Sequence, residues 1–579
     1  MWANAVKMKK MEKSVLFRGA LCVLLLFFIL ESVFPQVLSV VISEVMYKPD
    51  PVVGLPDVEY VELFNRSDGA VCMEGWNLKV GRTLKAIPSV ELPARSCLLL
   101  AAKADTALLS GYGRVVALPS LSLNNTSQSL SLTNSVGQVL FTFTYRHEWQ
   151  EASKRTGGWS LEMSDTAFPC VESGNWRSSA DLSGGTPGRI PERRPLSPEA
   201  SFPVLKRAAN IDSQDVQLFF SGKLHPEHVW NPAAYRVDGV EPVERVLELS
   251  PDWTSVRVRL RHPILYGEIH DMRAAAPLCD CGFRPLEPAS ARFGRSELAD
   301  SLDMVINEVM FHPKDGGVPF VEIYNRSEKI LDLKELRLST YRSDGVLDTG
   351  KRVTDGGWQL FPGGYICMSK DAKTVCSQYP CVAENMLEMS AFPTYAQSGG
   401  RVVLLERGIV LDDFAYSEKM HYPLLADVAG VSLERVNPDL ETQNEAHWCS
   451  AASLAGYGTP GAANSCYSSW KPELGEEIQL ESTIFSPDGD GYADRLTIRY
   501  SFHEPSLRGS VWIFSMDGVP VRRLLNNGLL ASEGTLVWDG VTDNGMYAPS
   551  GAYMLLFEYW SLDGKVKRFR KAVTIAHRW

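Results

Sequence analysis

Apolar and polar positions alternate along most of this chain, in short runs separated by turn-forming residues. Typical runs are YVELFN (60–65), VRVRLRH (256–262), LTIRYSF (496–502) and YMLLFEYW (553–560), and all are rich in β-branched or aromatic residues. Long runs with a helical period are scarce after the N-terminal segment. Because 45 glycines and 34 prolines interrupt the runs at frequent intervals, the pattern predicts an all-β protein built as a row of β-sandwiches.

One strand-like phrase occurs twice. YVELFNRS (60–67) returns as FVEIYNRS (320–327), and the segments before them are also alike: VVISEVMYKP (40–49) and MVINEVMFHP (304–313). Both stretches end further on at a GTPG sequence, residues 185–188 and 458–461. The offset between matching residues drifts only slightly, as insertions in loops between fixed strands would produce. The sequence therefore predicts a duplicated domain.

The repeated order of motifs resembles the bacterial lamin tail domain. The motifs are I-x-E-V-M-Y/F-x-P, then VELFNRS or VEIYNRS, then Leu-Glu followed by a tryptophan and GTPG. This resemblance assigns one copy to residues 40–190 and a second to residues 303–466. It implies an immunoglobulin-like sandwich of the kind found as an accessory module in secreted or surface bacterial proteins, without catalytic machinery to carry over.

Two further sandwiches are expected beside the repeats. Residues 204–292 follow a proline-rich linker (191–203), and through NPAAYRV and CDCGF they resemble a bacterial Ig-like domain. Residues 474–579 contain FSPDGDGYADRLTIRYSF and LVWDGVTDNGMYAPSGAYML, which resemble flagellar-hook-capping and gliding-motility modules. In some relatives of that module the C-terminal domain is the address read by a type IX secretion system, so this resemblance makes secretion machinery a candidate partner.

The N-terminus has the pattern of a signal peptide, predicted over residues 1–39. Basic residues precede the apolar run GALCVLLLFFIL (19–30), which is too short to span a bilayer comfortably. An uncleaved anchor is the alternative; after cleavage the mature chain is predicted to have no transmembrane span.

The formal net charge of −11 disfavours nucleic acid as a partner. A secreted or outer-membrane-associated, cell-surface location is therefore expected.

Ten cysteines follow the signal segment, and export would permit disulfides. Spacing suggests local pairs between Cys376 and Cys381 and between Cys449 and Cys466. Cys97 and Cys367 lie in apolar runs and are expected to be lone buried thiols. No pair of CxxC motifs suggests a zinc site.

The repeated glutamates, Glu44 with Glu308 and Glu62 with Glu322, allow two interpretations. Paired carboxylates can act as acid and base in catalysis. Alternation instead places Glu62 on the face opposite Val61 and Leu63, which favours a solvated or turn-bonded carboxylate with a structural role. Other recurring residues are also expected to be structural: Asn65 and Asn325 should form Asx turns, and Trp176 and Trp448 should fill sandwich cores.

Residues Asp488, Asp490 and Asp494 form the one predicted metal site. Their D-x-D-x-x-x-D spacing, with glycines between, places hard oxygen ligands on a tight loop and suits calcium. The alternative is an Asp/Gly turn whose carboxylates bond backbone amides. No other cofactor is predicted.

The favoured function is a non-enzymatic secreted or cell-surface scaffold of the adhesion type, whose partner is an unknown protein or glycan. One alternative is an accessory carbohydrate-binding protein, which would need two or more exposed, coplanar aromatic rings in one groove. The other is a secreted hydrolase with an unrecognised site, although the chain has no G-x-S-x-G, Walker, HExxH or Rossmann motif.

Overall fold

The computed structural model describes residues 37–189, 192–197, 202–468, 476–488 and 493–576. Residues 1–36 of the predicted signal segment and Asp490 lie outside these ranges. Contacts divide the chain into two compact units, one of residues 1–208, 214–263 and 270–292 and one of residues 209–213, 264–269 and 293–579. The prediction of tandem all-β sandwiches is confirmed in both units.

The first repeat contains twelve strands and one short α-helix, α1 (Thr106–Leu109). The strands are β1 (Val40–Met46), β2 (Tyr60–Asn65), β3 (Val71–Cys72), β4 (Asn77–Val80), β5 (Thr83–Ala86), β6 (Glu91–Leu92), β7 (Cys97–Ala102), β8 (Val115–Leu118), β9 (Ser127–Thr133), β10 (Val139–Arg146), β11 (Leu161–Met163) and β12 (Trp176–Ser178). They form a six-stranded sheet in the order β12-β11-β1-β2-β7-β8, a four-stranded sheet in the order β10-β9-β4-β5 and a two-stranded sheet of β3 and β6. Their apolar faces enclose one core.

The rest of the first unit comes from the predicted Ig-like domain. Its strands are β13 (Leu205–Asn210), β14 (Asp215–Phe220), β15 (Tyr235–Val237), β16 (Glu241–Pro242), β17 (Arg245–Leu249), β18 (Ser255–Arg259), β19 (Ile269–Ala274) and β20 (Ala289–Gly294). They form two four-stranded sheets, β13-β14-β18-β17 and β16-β15-β19-β20.

In the second unit, the second repeat contains twelve strands and the helix α2 (Ala372–Gln378). The strands are β21 (Met304–Met310), β22 (Phe320–Asn325), β23 (Leu331–Asp332), β24 (Leu336–Ser339), β25 (Lys351–Arg352), β26 (Gln359–Leu360), β27 (Tyr365–Ser369), β28 (Met386–Glu388), β29 (Gly399–Glu406), β30 (Ile409–Ser417), β31 (Leu433–Arg435) and β32 (Trp448–Ser450). The six-stranded sheet runs β32-β31-β21-β22-β27-β28, the same order as in the first repeat, and in both copies the last pair is parallel.

The C-terminal segment forms a second sandwich of this unit. Its strands are β33 (Ile478–Leu480), β34 (Ile484–Phe485), β35 (Leu496–Ser501), β36 (Arg508–Ser515), β37 (Pro520–Leu529), β38 (Glu533–Trp538), β39 (Gly551–Trp560) and β40 (Val566–Ile575). A three-stranded sheet, β33-β35-β38, faces a five-stranded sheet, β34-β40-β39-β36-β37, across a core of aromatic and aliphatic side chains.

The recurring tryptophans and asparagines behave as predicted. Trp176 is buried and stacks on Phe143 with ring centroids 4.3 Å apart, and Trp448 stacks on Phe414 at 3.7 Å. Asn65 forms an Asx turn, since its Oδ1 accepts a hydrogen bond from the Ser67 amide at 3.0 Å, and Asn325 does the same. These repeated residues therefore maintain the fold.

Three disulfides are present among the described residues. The predicted pairs Cys376–Cys381 and Cys449–Cys466 are confirmed. The third, Cys170–Cys281, joins the first repeat to the neighbouring Ig-like domain across 111 residues of sequence and was not predicted. Cys97 and Cys367 carry free thiols as expected, although Cys97 is only partly buried.

Within the described ranges, no helix is both long and apolar enough to cross a bilayer.

Candidate functional site

Three glutamates lie side by side on adjacent strands in each repeat. In the first repeat, Glu44 on β1 pairs directly with Glu62 on β2 and with Glu162 on β11. In the second repeat, Glu308 pairs with Glu322 and with Glu434 in the same register. All six side chains are buried, with at most 9% of each residue exposed. We call these two groups the glutamate clusters.

A bulge at the same place in β1 and β21 helps to build each cluster. The register shifts between Ile42 and Glu44, and again between Ile306 and Glu308. The side chain of the residue between them then turns toward the second glutamate: Ser43 Oγ donates to Glu62 Oε1 at 2.7 Å. In the second repeat Asn307 Nδ2 donates to Glu322 Oε1 at 2.9 Å.

The clusters bind the GTPG turn that closes each repeat. In the first repeat Thr186 N donates to Glu44 Oε1 at 2.9 Å, and Gly188 N donates to Glu62 Oε2 at 2.7 Å. In the second repeat the matching bonds run from Thr459 N to Glu308 at 3.0 Å and from Gly461 N to Glu322 at 2.6 Å. Each cluster thus supplies the acceptors that the buried turn amides need.

The turn approaches the first cluster closely at its first position. A Cβ on Gly185 would lie 2.7 Å from Glu44 Oε1 and 2.8 Å from the Tyr60 hydroxyl. That hydroxyl donates to the same carboxylate oxygen at 2.6 Å. A side chain at this position would have to displace these groups, whereas glycine lets the turn backbone contact the carboxyl group directly.

Burial changes the acid strength of these carboxyl groups. Loss of hydration, followed by the charge of Glu162, raises the pKa of Glu44 from 4.5 to about 7. Loss of hydration and the charge of Glu434 raise the pKa of Glu308 to about 8. The pKa values of Glu62 and Glu322 are raised well above their ordinary value by burial and then by the neighbouring Glu44 or Glu308. These carboxyl groups are therefore harder to ionise in the folded protein than an exposed glutamate is.

The expectation for Glu62 is confirmed in one part and wrong in the other. The carboxylate is bonded to a turn, as predicted, but it is not solvated. Alternation does place Glu62 opposite Val61 and Leu63, yet all six residues of β2 are buried. On the second face the returning GTPG segment bonds to Glu62, and a second apolar cluster packs around Tyr60. Glu162 and Glu434 complete the clusters, and their signal in the sequence was the Leu-Glu pair repeated in both copies.

The two clusters differ in what lies beside them. The first borders a cavity of about 330 Å³, which is also lined by Asp181, Arg189 and Arg194. In the second repeat Asn464 lies beside Asn307, the counterpart of Ser43. Its Nδ2 donates to the carbonyls of Asn307 at 3.0 Å and Arg435 at 2.8 Å. The first glutamate cluster therefore borders a cavity, whereas beside the second cluster the Asn464 side chain bonds to the backbone.

The predicted calcium loop is described in part. Ser486 Oγ donates to Asp488 Oδ2 at 3.2 Å, which is a bond within the turn. Asp494 lines a groove together with Asp539, Arg495 and Arg522, so the acidic residues there lie beside two cations. Since Asp490 falls outside the described residues, the three ligands cannot be placed together, and calcium binding stays a prediction.

A family model described as Lamin Tail Domain matches residues 35–147. The matched segment covers most of the first predicted repeat, as the motifs predicted, and begins at residue 35, within the predicted signal segment of residues 1–39. No curated protein matches the chain.

The solved structures that match this chain have low sequence identity and low TM-scores. Domains 1–6 of the surface layer protein SbsC are 12% identical over 66% of this chain and 55% of that chain, with a TM-score of 0.15. A DUF4876 family protein from Bacteroides thetaiotaomicron is 12% identical over 35% and 81%, with a TM-score of 0.18. A Ca²⁺-stabilized adhesin of an Antarctic bacterium is 9% identical over 93% and 99%, with a TM-score of 0.11. The chain spans about half the length of the SbsC structures it matches, and likenesses this low support no inference about function.

Proposed function

We propose that this protein is a non-enzymatic, exported scaffold of the adhesion type at the cell surface. In this proposal it contains two lamin tail domains, a central Ig-like domain and a C-terminal module, whose loops and sheet surfaces make the contacts. The observation that carries the proposal is the use of the repeated glutamates. In both copies, the residues that most suggested acid–base chemistry bind the amides of a closing turn instead.

The bonding of the carboxyl oxygens supports a structural role for the clusters. Both oxygens of Glu62 accept hydrogen bonds from the chain itself, one from Ser43 and one from Gly188. Both oxygens of Glu322 are bonded in the same way, by Asn307 and Gly461. A general acid or base must reach a proton of the substrate, and these groups already bond to buried backbone and side-chain donors.

The disulfides support export. Three disulfide bonds are typical of a protein that folds in an oxidising compartment. The basic and apolar N-terminal pattern predicts the route out of the cytoplasm. In this proposal the C-terminal module is the address read by secretion machinery.

Fractionation of the organism that encodes the protein, with mass spectrometry of both termini, tests the proposal. We expect the protein on the cell surface or in the medium, with the N-terminal segment removed near residue 39. Cleavage within or before the C-terminal module would support its role as an address. An uncut chain in the cytosol would contradict both export and the scaffold role.

A further inference from the structure

The C-terminal sandwich has an outward face that combines aromatic rings with positive charge. In its five-stranded sheet, Val511 and Ile513 on β36 point into the core, and alternation turns Trp512 and Phe514 to the opposite face. The neighbouring strand β39 follows the same pattern. There Met554 and Leu556, which pair with Phe514 and Trp512, lie half-buried on the outward face. We call these four residues the outer patch.

The planes of the two aromatic rings are nearly parallel. Their centroids are 6.1 Å apart and their planes differ by 24°. Both side chains are half-buried and belong to a face opposite the core, so the rings form part of an accessible surface. Flat aromatic surfaces of this kind pack against the C–H faces of sugar rings. The outer patch thus places two neighbouring aromatic rings with nearly parallel planes on one outward face.

The same sheet is strongly basic although the chain is acidic. Strands β36, β37, β39 and β40 carry seven basic residues and the single acidic residue Glu558, whereas the whole chain has a net charge of −11. The basic residues are Arg508, Arg522, Arg523, Lys567, Arg568, Arg570 and Lys571. Four of them form ion pairs: Arg522 with Asp543, Lys567 with Glu477, Arg568 with Glu558 and Lys571 with Glu476. Arg523 and Arg570 are exposed and make no ion pair with another described residue, so these two favour an anionic partner.

Two arginines flank the patch from opposite sides. Cross-strand pairing puts Arg523, Trp512, Leu556 and Arg570 in one row across four strands. The guanidinium of Arg523 lies 4.2 Å from the centre of the Trp512 ring. Arg570 is exposed, and among the described residues it makes no ion pair or hydrogen bond. Three strand spacings separate the two arginines at their backbones, a distance of roughly 14 Å.

We propose that the outer patch binds an acidic polysaccharide, with sugar rings packed on Trp512 and Phe514 and carboxylates paired with Arg523 and Arg570. A guanidinium binds a carboxylate through two parallel hydrogen bonds, so charged sugars suit this row better than neutral ones. The proposal deepens the scaffold function and rests on it, since a protein at the cell surface meets such polymers.

The test measures binding of alginate oligosaccharides, which are polyuronates, to the purified full-length protein by isothermal titration calorimetry. Dextran serves as the neutral comparison. We expect binding to alginate and none to dextran, with Trp512→Ala and Arg570→Gln each weakening the affinity about tenfold. The matched controls are Trp230→Ala and Arg245→Gln in the Ig-like domain, both at exposed positions, and these should bind as the parent does. Circular dichroism and thermal melting establish that each variant is folded.

If Trp512→Ala fails to fold, Arg523→Gln replaces it, because that exposed side chain does not enter the core. Equal binding by all variants would overturn the proposal, as would the absence of alginate binding. Tighter binding to phosphatidylglycerol vesicles than to alginate, lost in the same variants, would make the partner a lipid surface and would also overturn it. None of these results depends on where the protein is located, so a failure here is distinguishable from a failure of the fractionation experiment.

Discussion

Thr186 and Thr459 occupy the same position in the two repeats, and each hydroxyl lies between two buried glutamates. Thr186 Oγ1 is 3.3 Å from Glu44 Oε2 and 2.9 Å from Glu162 Oε1. Thr459 Oγ1 is 3.2 Å from Glu308 Oε2 and 3.0 Å from Glu434 Oε1. A hydroxyl carries one proton and can donate fully to one carboxylate only. The second contact is satisfied when that carboxyl is protonated and donates to the hydroxyl oxygen, so the geometry and the raised pKa values agree that each cluster retains a proton.

This proton should make stability depend on pH. The pKa of Glu308 is about 8 in the folded protein and 4.5 ordinarily. A raised folded-state pKa contributes stability that is fully present below 4.5 and is lost as the pH rises through about 8. We expect Glu308→Gln, which stays neutral, to gain melting temperature relative to the parent between about pH 5 and about pH 9. Thermal melting of both proteins across that range measures the difference.

The control for this experiment is Glu328→Gln, which removes the same charge at an exposed position of the same repeat. Its melting temperature should follow that of the parent at every pH. A constant difference between parent and Glu308→Gln over the whole range would show that Glu308 does not hold a proton in the folded state.

Removing a carboxyl group of a glutamate cluster should lower the free energy of unfolding more than replacing it with a neutral amide does. In Glu322→Ala the Gly461 amide loses its acceptor at 2.6 Å, and an unsatisfied buried donor costs about 1–3 kcal/mol. Glu322→Gln keeps a carbonyl oxygen for this amide and should be less destabilised. Denaturant unfolding of the two variants gives the comparison, with Glu328→Ala as the exposed control. Equal losses for Ala and Gln would argue against the turn bond as the source of the effect.

Much of the fold could be predicted because its signals are local. Strand alternation, the Asx turn at Asn65 and the short-range cysteine pairs depend on residues close together in sequence. The duplicated phrases also located two sandwiches, whose sheets have the same strand order.

The glutamate clusters could not be predicted from such local signals. Glu44 and Glu162 are far apart in the sequence. They lie side by side only because β11, near the end of the repeat, pairs with β1 at its start. Alternation alone treats the face opposite the core as solvent, and it does not reveal that the GTPG turn and a second apolar cluster lie on this face. The Cys170–Cys281 bond is also long-range, and ten cysteines with no distinctive spacing left its pairing open.

That disulfide should hold two domains together after the backbone between them is cut. A protease site inserted into the segment between residues 191 and 203 allows the cut to be made. We expect the two fragments to migrate together on a non-reducing gel and to separate after reduction, because Cys170 and Cys281 lie on opposite sides of the cut. In Cys170→Ser the fragments should separate without reductant, whereas Cys72→Ser, at an exposed free cysteine, should behave as the parent. Separation of the parent fragments without reductant would contradict the pairing.

Calcium binding by Asp488, Asp490 and Asp494 stays a prediction, and thermal melting of the full-length protein with and without calcium tests it. A ligand that binds only the folded state raises the melting temperature, so we expect calcium to stabilise the C-terminal sandwich. Asp494→Asn should remove most of this gain, because the substitution takes away a charged oxygen ligand that calcium prefers. Asp517→Asn, in the exposed turn between β36 and β37, is the matched control and should retain the gain. If calcium stabilises Asp494→Asn as much as the parent, the three aspartates serve the turn alone, as the bond from Ser486 to Asp488 already does.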